Sequence, residues 1–270
     1  MTTQLTMYIF WAGTGDRQIE QQFRIAFDKF VKDDDPGWGD VVIAAGMHGV
    51  LEPREGDINL YWWWSGSDNE DWLEYYMEHV TVKPQMILCP SLKMLDHAKA
   101  RGYKAIYFSG GIGSEYFPLN LPRAGTGYCG TVGHKSKEQE RCIIEPARKY
   151  DFEWRTRFPD GRPALNRWYN SKAVCLGMTT EVGLSWGIVP SRTLDILAGA
   201  NPYITYKHWA MNETLGFEYP YQSSSPEETV HWLEELINND HKEEFAKFAE
   251  IVQKEHTWDK RMIMLKEGLQ

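Results

Sequence analysis

Arg192 and Asp195 stand three residues apart in Pro190-Ser191-Arg192-Thr193-Leu194-Asp195. If Ser191 caps a helix there, the two side chains share one face. A guanidinium offers a planar fork of donors that matches a diphosphate. A carboxylate one turn later can accept two ribose hydroxyl protons. The pair suits the handle of a nucleoside diphosphate; a local Arg–Asp ion pair is the plainer alternative.

Two glycine turns could cradle phosphate. Gly130-Thr131-Val132-Gly133-His134-Lys135 follows one apolar run, and Gly13-Thr14-Gly15 follows another. A glycine turn between a strand and a helix lets backbone N–H groups approach an anion. His134, Lys135 and Lys137 would add charge to the second turn. Neither turn is a dinucleotide fingerprint, since Gln18 stands where a third glycine would be, and no G-K-[ST] occurs. Gly13, Thr14 and Gly15 are read as a phosphate or acceptor loop, with a tight turn alone as the alternative.

Tyr61-Trp62-Trp63-Trp64-Ser65-Gly66-Ser67-Asp68 reads as a strand end and a polar turn. Alternate tryptophans face opposite sides of a sheet. Trp62 and Trp64 are candidates for stacking an acceptor, and one or two of the tryptophans would be core. Asp68 at the carboxyl end of the strand is the candidate general base; an N-cap is its alternative role. Asp33, Asp34 and Asp35 precede Pro36 and read as a solvated loop, so no metal site is expected. His48 and His208, with Trp209 beside it, are lesser candidates. No H-E-x-x-H, G-x-S-x-G or EF-hand pattern is present.

The elements that must hold these residues alternate. Strand-like runs at Met7–Ala12, Val41–Ala45, Ile58–Trp64, Met86–Cys89 and Lys104–Phe108 are separated by helix-period segments. Ser91 is a plausible N-cap. Ser109–Gly127, rich in glycine and proline, breaks the pattern. Runs at Gly127–Thr131, Asp151–Arg155, Ala173–Met178 and Tyr203–Tyr206 follow, with helices at Ser191–Ala198, after Ser225 and at Thr257–Leu265, and a helix turn at Leu165–Tyr169. The order predicts an α/β fold: two Rossmann-like domains with parallel sheets facing an interdomain cleft. Residues 1–112 form the N-terminal acceptor-side domain, 113–126 a linker, and 127–270 the C-terminal domain, whose last helix is able to pack back on the first.

The chain has 270 residues and a net charge of −9, which argues against a protein that simply coats nucleic acid. Residues 135–172 form a basic island, with ten basic and six acidic side chains. It reads as a solvated face or a surface for phosphates. No apolar run reaches the roughly 18 residues of a membrane span. Cys89, Cys129, Cys142 and Cys175 make no C-x-x-C pair, so buried free thiols are expected. These features, and an N-terminus without signal-peptide character, predict a cytoplasmic protein without membrane association.

Several segments resemble a known class. Gly111-Ile112-Gly113-Ser114-Glu115-Tyr116-Phe117-Pro118 resembles the connection between the halves of GT-B glycosyltransferases. Gly127-Tyr128-Cys129-Gly130-Thr131 resembles the strand opening their donor half, and Arg192–Gly199 their R-x-x-E-x-x-A-x-G helix. Glu255-His256-Thr257-Trp258-Asp259-Lys260-Arg261 is similar to the ending of CgeB-like transferases. The resemblance covers roughly residues 111–270. It implies a nucleoside-diphosphate sugar as co-substrate, UDP-linked as first expectation, with no obligatory metal or cofactor. Arg192 would contact the diphosphate, Asp195 the ribose, and Gly130 and Gly133 would admit the phosphates. Aspartate stands at 195 where the family has glutamate. The short chain is also similar to phage DNA β-glucosyltransferase, which makes a hydroxymethylated base in duplex DNA the leading acceptor. A protein, glycan or small-molecule hydroxyl is the alternative; an epimerase and a binding module without catalysis are the rival classes. Oligomeric state is not readable from the sequence.

Overall fold

The computed structural model describes residues 8–11, 22–27, 29, 41–45, 58–63, 72–80, 83–130 and 136–270. The chain divides into two compact units, 1–110 with 258–270, and 111–257.

The first unit is a parallel sheet in the order β1 (Tyr8–Trp11), β2 (Val41–Ala45), β3 (Ile58–Trp62), β4 (Met86–Cys89), β5 (Ala105–Tyr107). A parallel strand covered on both faces has no polar side, and Leu60, Tyr61, Trp62 and Trp63 are all buried. Their alternation sets their partners. Tyr61 stacks on Tyr76 of α2 (Trp72–His79), with ring centroids 3.8 Å apart. Trp63 lies 5.6 Å from His97 of α3 (Leu92–Ala100), a helix capped by Ser91 Oγ, which accepts from Met94 N at 3.1 Å.

Trp62 points the other way. Its ring meets Phe23 of α1 (described over 22–27) at 5.6 Å, Phe108 at 5.4 Å and Trp258 at 6.1 Å. Trp62 is only 1% exposed. The stacking role read for Trp62 is thereby corrected: its ring is enclosed in the core, where burial of an aromatic side chain is worth more than an exposed platform. Trp64 lies outside the described residues. The final helix, α12 (Trp258–Leu269), belongs to this unit. Trp258 Nε1 donates to Gln22 Oε1 at 2.7 Å, and buried Arg261 donates to Ser109 O at 3.1 Å and Ser109 Oγ at 2.8 Å.

The second unit is a parallel sheet in the order β7 (Phe152–Arg155), β6 (Thr126–Cys129), β8 (Val174–Gly177), β9 (Tyr203–Tyr206), β10 (Gln222–Ser223). From β6 the chain passes through α4 (Lys137–Gln139), a π-helical turn (Glu140–Ile144) and α5 (Glu145–Ala147) to β7. It then passes through α6 (Gly161–Asn170) back across to β8. The strand order therefore reverses at β6. The long helix α10 (Pro226–Asn238) packs on α5 and the π-helical turn, while α8 (Ser191–Ala198) packs on α6 and α11 (Lys242–Glu255). These groups cover opposite faces, as right-handed crossovers require.

α6 is longer than the helix turn expected at Leu165–Tyr169, because Pro163 sits in its first turn, where a missing N–H costs little. α7 (Glu181–Trp186) and α9 (Met211–Leu215) were too short for the helical period to show. On α10, Leu233 and Leu236 are buried as expected, but Ile237 is 39% exposed. The stretch read as a linker is pinned to the second unit. Asn170 Oδ1 accepts from Leu119 N at 2.7 Å, and Asn166 Nδ2 donates to Phe117 O at 3.1 Å. Among the described residues no helix is long and apolar enough to cross a membrane.

Candidate functional site

In open α/β sheets ligands collect beyond the carboxyl ends of the strands, where the strand order reverses. In the second unit that place is the end of β6, flanked by the ends of β7 and β8. Gly130 occupies it with φ +151°. A side chain there would collide with the guanidinium of Arg192 and come within 2.9 Å of the Tyr128 hydroxyl. The peptide is held on both sides: Gly130 N donates to Arg155 O at 2.8 Å, and Trp154 Nε1 donates to Gly130 O at 2.9 Å. Gly133, His134 and Lys135 lie outside the described residues. The helix beyond them starts at Ser136, whose Oγ accepts from Gln139 N at 3.1 Å. Gln139 Oε1 in turn accepts from Thr179 N at 3.0 Å, tying this helix start to the end of β8.

α8 begins at Ser191, with Pro190 in the capping position and no side-chain cap. Ser191 is thus the first helical residue rather than the cap expected of it. The helix delivers Arg192 to Gly130 across 62 positions of sequence. Arg192 Nη1 donates to Cys129 O at 2.5 Å, and its Cζ lies 5.2 Å from the centre of the Tyr128 ring. Burial alone would lower the pKa of this guanidinium, but the phenolic groups of Tyr128, Tyr169 and Tyr203 outweigh it and the pKa is raised. The result is a fixed, half-buried positive charge. Behind it, Thr193 Oγ1 and Tyr203 Oη are 3.0 Å apart, locking the first turn of α8 to β9.

Asp195 follows on the same helix and is 8% exposed. It is hydrogen-bonded by the Tyr116 hydroxyl, whose pKa is raised by burial and by this carboxylate. Arg162 of α6 lies 5.8 Å from the Tyr116 ring centre and pairs with Glu115 at 3.7 Å. Glu115, Tyr116 and Arg162 were not singled out from the sequence. Glu115 and Tyr116 lie within the Gly111–Pro118 motif, and Arg162 lies in the basic island, where nothing in the pattern distinguished it.

Other candidates separate by environment. His208 is buried; Ala210 N donates to its Nδ1 at 3.2 Å, so the proton resides on Nε2, which faces Ile188 O at 3.2 Å. Burial lowers its pKa, and it acts as a neutral tie between two loops. Asp68, Gly13, Thr14 and Gly15 lie outside the described residues. Among the described residues no cluster of His, Cys, Asp or Glu is arranged to hold a metal ion.

No family model matches the sequence, and no curated protein matches it. Solved structures do. Over 93% of this chain and 76% of the other, it is similar to trehalose-6-phosphate synthase OtsA, with TM-score 0.58 and 9% identity. A glycosyltransferase from Rickettsia africae ESF-5 is similar over 97% of this chain and 84% of its own, with TM-score 0.56 and 10% identity. An apo structure of OtsA gives TM-score 0.54 at 10% identity, over 95% and 79%. The chain therefore has the GT-B-like fold: two Rossmann-like α/β units, each built on a parallel sheet.

Proposed function

We propose that the protein is a glycosyltransferase that uses a nucleoside-diphosphate sugar. The observation that carries this reading is the Arg192–Gly130 arrangement: a charged guanidinium seated at the strand-order reversal against a glycine at φ +151°, in the space a side chain there would need. The diphosphate lies against Gly130 and Arg192, with Gly133, His134 and Lys135 completing the cradle. Asp195 holds the ribose, oriented by Tyr116. The GT-B-like fold supports the reading, and both solved proteins named above carry transferase or synthase names.

In the reaction, the acceptor oxygen forms a bond to the anomeric carbon while the bond from that carbon to the diphosphate oxygen breaks. Arg192 stabilises the negative charge that develops on the departing diphosphate. Asp68 is the proposed base that takes the acceptor's hydroxyl proton if the anomeric centre inverts. Gly13, Thr14 and Gly15 are proposed as the acceptor-side loop. No step calls on a metal.

UDP-sugars are the first donors to test. A hydroxymethylated base in duplex DNA is the first acceptor, held by phosphate contacts to the basic island. The test is mass spectrometry of intact products, from donors of each base with hydroxymethylated and unmodified duplexes. A hexose or pentose mass gain on the modified duplex alone supports transferase and acceptor together. Release of nucleoside diphosphate without gain keeps the transferase and removes this acceptor. Neither gain nor release across the panel refutes the proposal.

A further inference from the structure

We infer that Arg162 is a positioning residue for Asp195, acting through Tyr116, a reading that rests on the nucleotide-sugar function proposed above. Arg162, Asn166 and Asn170 stand four residues apart on α6, so they share one face of the helix. That face holds the segment that carries Tyr116. Asn166 and Asn170 anchor Phe117 and Leu119 through hydrogen bonds. Arg162, one turn nearer the helix start, meets Glu115 and Tyr116.

The asparagines and the arginine hold the segment by different means. Both asparagines are buried, and Asn170 Nδ2 also donates to Asn166 Oδ1 at 2.9 Å. The Arg162 side chain is 13% exposed, yet its Nε is buried without a hydrogen-bond partner among the described residues. Its ion pair with Glu115, at 3.7 Å, is too long to be a hydrogen bond. A charged donor buried in this way costs stability that an apolar side chain of similar volume would spare. Its effect falls on its neighbour instead. The guanidinium lies 5.8 Å from the centre of the Tyr116 ring, within the range of a cation–π contact. Burial and the Asp195 carboxylate raise the Tyr116 pKa, and the Arg162 charge works against them. A phenol polarised by a cation is a stronger donor, which strengthens its hydrogen bond to Asp195.

Asp195 is one methylene shorter than the glutamate of the motif it resembles, so it has less reach and depends more on being held in place. A carboxylate has about four lone-pair sites. Tyr116 takes one and fixes the group, leaving the rest for the ribose hydroxyls. Arg162 therefore acts on recognition of the ribose and not of the diphosphate.

The test is calorimetric titration of the whole protein with UDP, GDP and ADP, then with the 2′-deoxy and 3′-deoxy analogues of the preferred one and with inorganic pyrophosphate. Wild type should prefer the ribonucleotide to both analogues. Arg162→Met should cut that preference about three- to ten-fold, a fraction of what a hydrogen bond to a charged group is worth. Arg162→Lys, which keeps the charge, should retain most of it. Tyr116→Phe should lose at least as much as Arg162→Met, and adding Arg162→Met to it should change the preference no further. Pyrophosphate should bind all of them alike. Three results would overturn the inference: unchanged preference in Arg162→Met, an equal loss for pyrophosphate, which marks a structural role, or additive losses in the double variant. If Arg162→Met does not fold, unchanged preference in Tyr116→Phe overturns it instead. Wild type that binds the nucleotide and its deoxy analogues equally overturns the inference with the ribose role of Asp195. Wild type that binds no nucleotide overturns the proposed function as a whole, and both outcomes are visible before any variant is made.

Discussion

Replacing Arg192 with lysine keeps the charge and removes the fork, while alanine removes both. The structure assigns Arg192 two native contacts: a charged hydrogen bond to Cys129 O at 2.5 Å and a ring contact with Tyr128 at 5.2 Å. The first is worth about 1.5–3 kcal/mol and the second about 0.5–2 kcal/mol. Because the side chain is half-buried and water can replace part of this, Arg192→Ala should cost about 2–4 kcal/mol. At roughly 2–4 °C per kcal/mol for a domain of this size, the melting point should fall by about 5–15 °C. Turnover should fall further, by about 10²–10³-fold in kcat, as when a donor aimed at developing negative charge is removed. Lysine should recover part of the melting temperature and little of kcat, since one ammonium cannot present two parallel donors. The assay is nucleoside diphosphate release, with kcat and KM resolved separately, beside a thermal melt below which all variants are folded. A folded Arg192→Ala variant with wild-type kcat would refute the diphosphate assignment. A loss of kcat no greater than the loss of folded fraction would refute the transition-state role.

Gly130→Ala should reduce donor affinity at least ten-fold, because its Cβ must push aside the Arg192 guanidinium; donor titration checks this, and unchanged affinity would sink the cradle. Trp62→Ala should destabilise the protein by about 3–5 kcal/mol in denaturant unfolding, the cost of emptying an aromatic core site. A small change with lost acceptor binding would restore its stacking role. Burial alone would raise the Glu153 pKa, but hydrogen bonds from Lys172, Trp168 and Arg155 lower it to about 2 from 4.5. A depressed carboxylate pKa stabilises the fold above the unfolded value, and the contribution is lost as pH falls from about 4.5 through 2. The side chain is 34% exposed and Arg155 48%, so screening leaves about 1–2 kcal/mol of the nominal value. Glu153→Gln should be less stable by that amount at pH 7, with the gap to wild type closing below pH 3 in urea melts; a pH-independent gap would show packing rather than charge.

Strand positions were legible in the sequence because a parallel strand buried on both faces must be apolar along its length, and Tyr61 to Trp63 show it. Helix starts were legible where a side chain supplies the missing acceptor. Ser91 and Ser225 both do so, the latter accepting from Glu228 N at 3.2 Å. Arg192 and Asp195 could be placed on one helix face from their spacing alone. Period and spacing are local quantities. They say that Trp62 alternates with Tyr61 and Trp63, but not that Phe23 and Trp258, far apart in the chain, close over its face. They say that Gly130 permits an unusual backbone, but not that Arg192 occupies the space a side chain would take. The same holds for the Tyr116 hydroxyl on Asp195 and for Arg162 beside the Tyr116 ring. Each is decided by which elements the sheet order brings together, because burial rewards any apolar partner of the right volume and the chain alone does not say which will arrive.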